Sequence, residues 1–119
     1  MTSTLFDSAK ETAHGYRDIR PSELRGRPSD VRIIDVREPS EFVGELGHIP
    51  GAELVPLGTV AAVASSWPRE EELLVVCRSG GRSARAAQQL LAMGFRRVIN
   101  LAGGMMAYVD SGLPISCAR

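Results

Sequence analysis

One stretch constrains this chain more than any other: the apolar run Leu73-Leu74-Val75-Val76, followed at once by Cys77-Arg78-Ser79-Gly80-Gly81-Arg82-Ser83. Consecutive apolar residues, two of them β-branched, read as a strand buried on both faces, which needs a covering layer on each side. The chain then turns through two glycines, and 83–93 reads as a helix. Ala84, Ala87 and Leu91 lie on one stripe, widened by Ala86, Leu90 and Met93, and Gly94 supplies the C-terminal stop. The spacing therefore puts a cysteine at the end of a strand, facing a helix N-terminus. Unpaired N–H groups and the positive end of the helix dipole favour a thiolate there. Gly80 and Gly81 let successive N–H groups curl inward as an anion-binding nest.

Four further segments read as strands: 16–19, 31–34, 52–55 and 96–101. Helical segments fall between them at 20–24, 38–44 and 58–65, and a last one at 105–111 stops at Gly112 and Pro114. Strands that alternate with helices and carry continuous apolar runs predict an α/β fold. The expected architecture is a mostly parallel five-stranded sheet with helices on both faces. Residues 1–15 are polar and Ser/Thr-rich and read as an N-terminal arm; 16–119 read as the domain. The charged segment 67–72 reads as a solvated connection.

Composition narrows the function. Lys and Arg total 14 and Asp and Glu total 14, so the formal net charge is zero, which argues against a nucleic-acid partner. No apolar stretch approaches the roughly 20 residues that span a bilayer. The N-terminus lacks the basic start and apolar run of a secretory leader. Cys77 and Cys117 are the two cysteines. They make no disulfide framework, and neither sits in a Cys/His cluster with zinc-ligand spacing. Neither a metal nor a cofactor is expected, and the default location is cytoplasmic, with reduced thiols.

The loop also carries a family resemblance. Cys77-Arg78-Ser79-Gly80-Gly81-Arg82-Ser83 resembles the active-site loop of single-domain rhodaneses, the thiosulfate sulfurtransferases. Three other motifs follow the order of that family: Ile34-Asp35-Val36-Arg37-Glu38-Pro39-Ser40-Glu41-Phe42, Gly47-His48-Ile49-Pro50-Gly51-Ala52 and Asn100-Leu101-Ala102-Gly103-Gly104-Met105. The resemblance implies a rhodanese fold and a double displacement with Cys77 as the nucleophile that carries a persulfide. Ser79, Gly80, Gly81, Arg82 and Ser83 would offer backbone amides to the anionic sulfur. Arg78 and Arg82 would offer forked guanidinium donors to a donor such as thiosulfate. Asp35 and Arg37 are expected to support the loop rather than react. The acceptor would be cyanide, a thiol or a sulfur-accepting protein.

His48 reads as part of a turn, Arg85 as a solvated side chain and Cys117 as incidental, with a resolving thiol as its alternative. Tyr108 stands where many relatives carry Trp, and core packing is its expected role. Two other functions compete. One is a carrier or binding module that hands sulfur to a protein partner. The other is a phosphatase or arsenate reductase on the same fold. Such phosphatases use C-x5-R; here Arg82 makes C-x4-R, and the shorter ring of amides suits sulfur better than a tetrahedral phosphate.

Overall fold

The computed structural model describes residues 4–25 and 30–118. Its strands are β1 (Lys10–Glu11), β2 (Arg17–Ile19), β3 (Arg32–Asp35), β4 (Glu53–Leu54), β5 (Glu72–Val76) and β6 (Arg97–Leu101). Its α-helices are α1 (Leu5–Ser8), α2 (Pro39–Phe42), α3 (Val60–Ala64), α4 (Gly81–Ala92) and α5 (Gly104–Asp110). Short 3₁₀ turns occupy Pro21–Leu24 and Leu57–Thr59.

The strands form one sheet in the order β1-β2-β6-β5-β3-β4. All pairings are parallel except β1 with β2, which is antiparallel. β5 sits between β6 and β3, which explains its unbroken apolar run: it has no edge and no wet face. Its residues alternate. Leu73 and Val75 join Ile34, Val36, Val98 and the apolar sides of α3 and α4 in one core cluster. Leu74 and Val76 join Ile19, Ile99 and Leu101 in a second cluster with Leu5 of α1 and Met105 and Tyr108 of α5. Helices thus cover both faces, as the apolar runs predict.

The sheet has six strands rather than five. The extra one, β1, is two polar residues long and joins through backbone pairing alone, Lys10 with Asp18 and Glu11 with Arg17. No hydrophobic period could mark it. The segment read as an arm packs on the sheet from residue 4 onward; residues 1–3 lie outside the described residues. Leu5 and Ala9 are each 8% exposed. The Arg17 guanidinium lies 4.2 Å from the Phe6 ring centroid and donates to the Phe6 carbonyl at 2.8 Å.

The 67–72 segment is also a correction. Trp67 is buried rather than solvated, edge-on to Phe95 with centroids 6.5 Å apart. The Arg32 guanidinium covers its ring at 3.8 Å while pairing with Glu53 and Glu71. Tyr108 packs in the core as expected, and its hydroxyl donates to the Pro114 carbonyl at 2.7 Å.

Candidate active site

The strand–loop–helix unit at 72–92 builds the site. β5 ends at Val76, and Cys77 follows with 1% exposure, on the face covered by α3 and α4. Gly80 is the N-cap of α4 and adopts φ 110°, ψ −15°. That left-handed conformation costs a side-chain-bearing residue energy and costs glycine almost none. It turns the Gly80 N–H back onto the Cys77 Sγ, to which it donates at 3.0 Å. The helix begins at Gly81, two residues earlier than the apolar stripe predicts, because glycine and arginine leave no apolar mark on its first turn.

Two opposed influences set the Cys77 thiol. Burial is the larger single one and pushes the pKa up. Against it act the Ser83 hydroxyl, which can turn to a thiolate, and the backbone N–H groups of Ser83, Gly80 and Ser79; together they outweigh burial and bring the pKa below the ordinary thiol value. The Ser83 Oγ lies 3.3 Å from the sulfur.

The loop is clamped from the far side by α5. The N–H of Met105 donates to the Cys77 carbonyl at 2.8 Å, and the N–H of Met106 donates to the Arg78 carbonyl at 3.0 Å. Loop carbonyls therefore point away from the sulfur and loop amides toward it. Gly104 permits this approach, since a Cβ on it would lie inside van der Waals contact of the Cys77 carbonyl oxygen and the Arg78 carbonyl.

The expected substrate arginines divide. Arg82 does not stand free: its guanidinium grips Glu41 of α2 in a two-pronged pair, Nη1 to Oε1 at 2.7 Å and Nη2 to Oε2 at 2.9 Å. Its charge still acts on Cys77, but its fork is occupied. Arg78 is exposed and has no hydrogen bond or ion pair among the described residues. It lines a cleft of about 240 Å³ with Arg37, Glu41, Glu45 and Leu46. A larger cavity of about 550 Å³, lined by Pro39, Phe42, Val43, Ala52 and Leu54, lies on the other side of α2 and does not touch the cysteine loop. The smaller cleft takes in Arg78 of the cysteine loop and the larger one takes in no residue of it, so the smaller is the one beside Cys77. Ser79 and Gly81 are exposed on the loop, and Arg85 is exposed one turn further along α4.

Asp35 and Arg37 form a fully buried ion pair, Nη2 to Oδ2 at 2.7 Å and Nε to Oδ1 at 2.9 Å. Arg37 also donates to the Gly47 carbonyl at 2.7 Å, which ties the end of β3 to the turn beside the cleft. A buried charge pair persists only where its remaining donors are satisfied in this way. His48 stacks on Phe42 at 3.5 Å, and its Nδ1 donates to the Phe42 carbonyl at 2.7 Å, so it is held as structure. Cys117 is exposed, with Sγ 3.7 Å from the Gly44 carbonyl.

Sequence reasoning overlooked Glu41, Asn100 and Asp18. Glu41 and Asn100 lie inside motifs quoted above, yet their partners are 41 and 17 positions away. The Glu41 carboxyl is lowered from 4.5 to about 2, chiefly by its hydrogen bonds from Arg82, against burial and with help from the Glu38 N–H. A depressed carboxyl stabilises the fold above its unfolded value and loses that contribution as pH falls through the folded value. Wild type is expected to lose stability more steeply than Glu41→Gln between pH 4.5 and about 2. Denaturant unfolding at a series of pH values checks this; equal slopes would contradict it.

A mostly parallel α/β sheet with a nested cysteine at a strand end, facing a helix N-terminus, is the frame of a domain built around a cysteine thiolate. A model of the rhodanese-like domain matches residues 20–111. The chain belongs to the rhodanese-like domain family. It is 38% identical over 86 residues to a protein named Sulfurtransferase from Allochromatium vinosum, covering 72% of this chain and 78% of that one. It is 30% identical over 108 residues to Thiosulfate sulfurtransferase 18 of Arabidopsis thaliana, covering 89% and 74%. Across such relatives the chain spans between 36% and 78% of the other protein's length. A solved rhodanese-related protein from Thermoplasma volcanium superposes with a TM-score of 0.77 at 26% identity, covering 87% of this chain and all of that one.

Proposed function

We propose that this protein transfers sulfane sulfur from thiosulfate, or another small anionic persulfide donor, to a thiophilic acceptor such as cyanide or a thiol. The reading rests above all on the Cys77 sulfur receiving the Gly80 N–H at 3.0 Å inside a nest of amides. The Cys77 thiolate attacks the outer sulfur of thiosulfate. A new S–S bond forms as the old one breaks, and sulfite leaves with the bonding electrons. The acceptor then attacks the terminal sulfur of the Cys77 persulfide and the thiolate returns. Amides at fixed positions need no rearrangement to hold anionic sulfur in either state. Arg78 is the loop guanidinium available to the departing sulfite; Arg82 adds charge while its fork stays on Glu41.

One observation favours a second reading. Cys77 is 1% exposed, and the adjoining cleft mixes Glu41 and Glu45 with its arginines. A mixed rim suits a protein surface better than a free dianion, as in a carrier that receives its sulfur from a partner. The C-x4-R loop argues against phosphate-ester hydrolysis in either case.

Intact mass after incubation with thiosulfate tests the proposal. The expected product is one added sulfur atom on Cys77, removed by cyanide as thiocyanate. An unmodified protein with thiosulfate would contradict the donor, and an adduct confined to Cys117 would contradict the site.

A further inference from the structure

Behind Cys77 runs a chain of polar groups that the sulfur-transfer reading does not use. Asn100 lies on β6, with Val75 of β5 on one side and Asp18 of β2 on the other as its register partners. It alternates with Ile99 and Leu101, so it faces α4 as Val98 does. Its Nδ2 donates to the Asp18 Oδ1 at 3.1 Å. Its Oδ1 accepts a short hydrogen bond from the buried Ser83 hydroxyl. That hydroxyl is also the one near the Cys77 sulfur, at 3.3 Å, and near the Gly80 carbonyl, at 3.2 Å.

A serine hydroxyl has one hydrogen. It cannot serve Asn100 and the Cys77 sulfur together. The Asn100 amide cannot reverse either, because reversal would put its oxygen against the Asp18 carboxylate. We infer that Asp18 and Asn100 are positioning residues that hold the Ser83 hydrogen away from Cys77, and so govern when the sulfur ionises. The inference rests on the reading of Cys77 as the nucleophile.

In the resting thiol the order runs one way: S–H to Ser83, Ser83 O–H to Asn100, Asn100 N–H to Asp18. When the thiol ionises its proton goes to solvent, and the Ser83 hydroxyl must leave Asn100 to reach the sulfur. The loop amides stabilise the thiolate at no such cost. The Ser83 O–H thus reaches the thiolate only at the cost of its bond to Asn100, and stabilises it less than a free hydroxyl would. That has a use, because a thiolate's nucleophilicity falls with its pKa, and the best attacking thiol titrates near the working pH.

Other charged groups lie around the loop, but none of them bonds to the relay. Arg82 of α4 is paired with Glu41 of α2, Asp35 and Arg37 at the end of β3 pair with each other, and Arg78 follows Cys77 in the loop. At its far end, Asp18 lines a polar cleft of about 510 Å³ with Lys10, Arg20 and Glu23. It can therefore be altered without opening the core.

The test is the pH dependence of Cys77 alkylation by iodoacetamide, in a Cys117→Ser background. With Asp18→Asn the Asn100 amide can reverse, donate to Ser83 and free the hydroxyl for sulfur. The midpoint is expected to fall by about one unit. The plateau rate is expected to fall about threefold, following the Brønsted slope. Asn100→Leu, which keeps the Asp18 charge, is expected to lower the midpoint in the same sense. In a Ser83→Ala background Asp18→Asn should have no effect. An unmoved midpoint in Asp18→Asn, a raised or unmoved one in Asn100→Leu, or a shift that survives Ser83→Ala would each overturn the relay. Iodoacetamide reads the thiol itself. A Cys77 that took no sulfur from thiosulfate would sink the proposed reaction and leave this measurement standing.

Discussion

Replacing Cys77 with serine is expected to reduce thiosulfate-to-cyanide sulfur transfer to the buffer rate, a loss of more than about 10³-fold, as for removal of other covalent nucleophiles. Cys117→Ser should keep the wild-type rate. The difference follows from position. Cys77 ends a buried strand, receives the Gly80 N–H and faces the first turn of a twelve-residue helix. Cys117 is exposed in the C-terminal tail, its sulfur 3.7 Å from the Gly44 carbonyl. Serine at 77 keeps the shape of the loop but ionises far above working pH and carries no sulfane sulfur. Thiocyanate release measured on the three proteins decides it. A residual rate in Cys77→Ser, or a loss in Cys117→Ser, would contradict the assignment.

The second large effect is expected at Gly104. This residue has φ 58°, and a Cβ there would collide with the Cys77 and Arg78 carbonyls. Gly104→Ala is expected to destabilise the protein by about 2–6 kcal/mol, since left-handed strain and overpacking each cost about 1–3 kcal/mol. It should also lower transfer in the molecules that remain folded, because the N–H groups of Met105 and Met106 fix the loop carbonyls. Gly58 offers the control: a Cβ there meets nothing within 4 Å and its φ is not positive. Gly58→Ala is expected to be near neutral. Equal stabilities of the two variants by denaturant unfolding would contradict this account of the loop.

The parts of the fold that were legible in the sequence are those whose signal is local. The β5–loop–α4 unit is contiguous, and its apolar run, glycines and helical stripe each declare a backbone state within a few residues. β1 declares nothing, since two polar residues pair through their backbones. Trp67 stands among charged neighbours in sequence, and only the arrival of Arg32 and Phe95 turns that surface inward.

The site divides along the same line. The cysteine and its amides are one loop and could be read directly. The partner of Arg82 could not, and an arginine beside a candidate nucleophile reads as a substrate ligand until Glu41 is seen to hold it. The Asp18–Asn100–Ser83 chain depends on strand register, which pairs positions 82 residues apart. No spacing within a motif carries that information.

The central claim is that sulfur passes through Cys77 as a covalent persulfide. Thiosulfate labelled at its outer sulfur tests it most directly, in a single turnover without acceptor, with the protein then digested and the label located. The expected result is label on the peptide containing Cys77, unlabelled sulfite in solution, and full release of the label on adding cyanide or a thiol. Label that stays with thiosulfate, or reaches the acceptor without ever residing on Cys77, would contradict it.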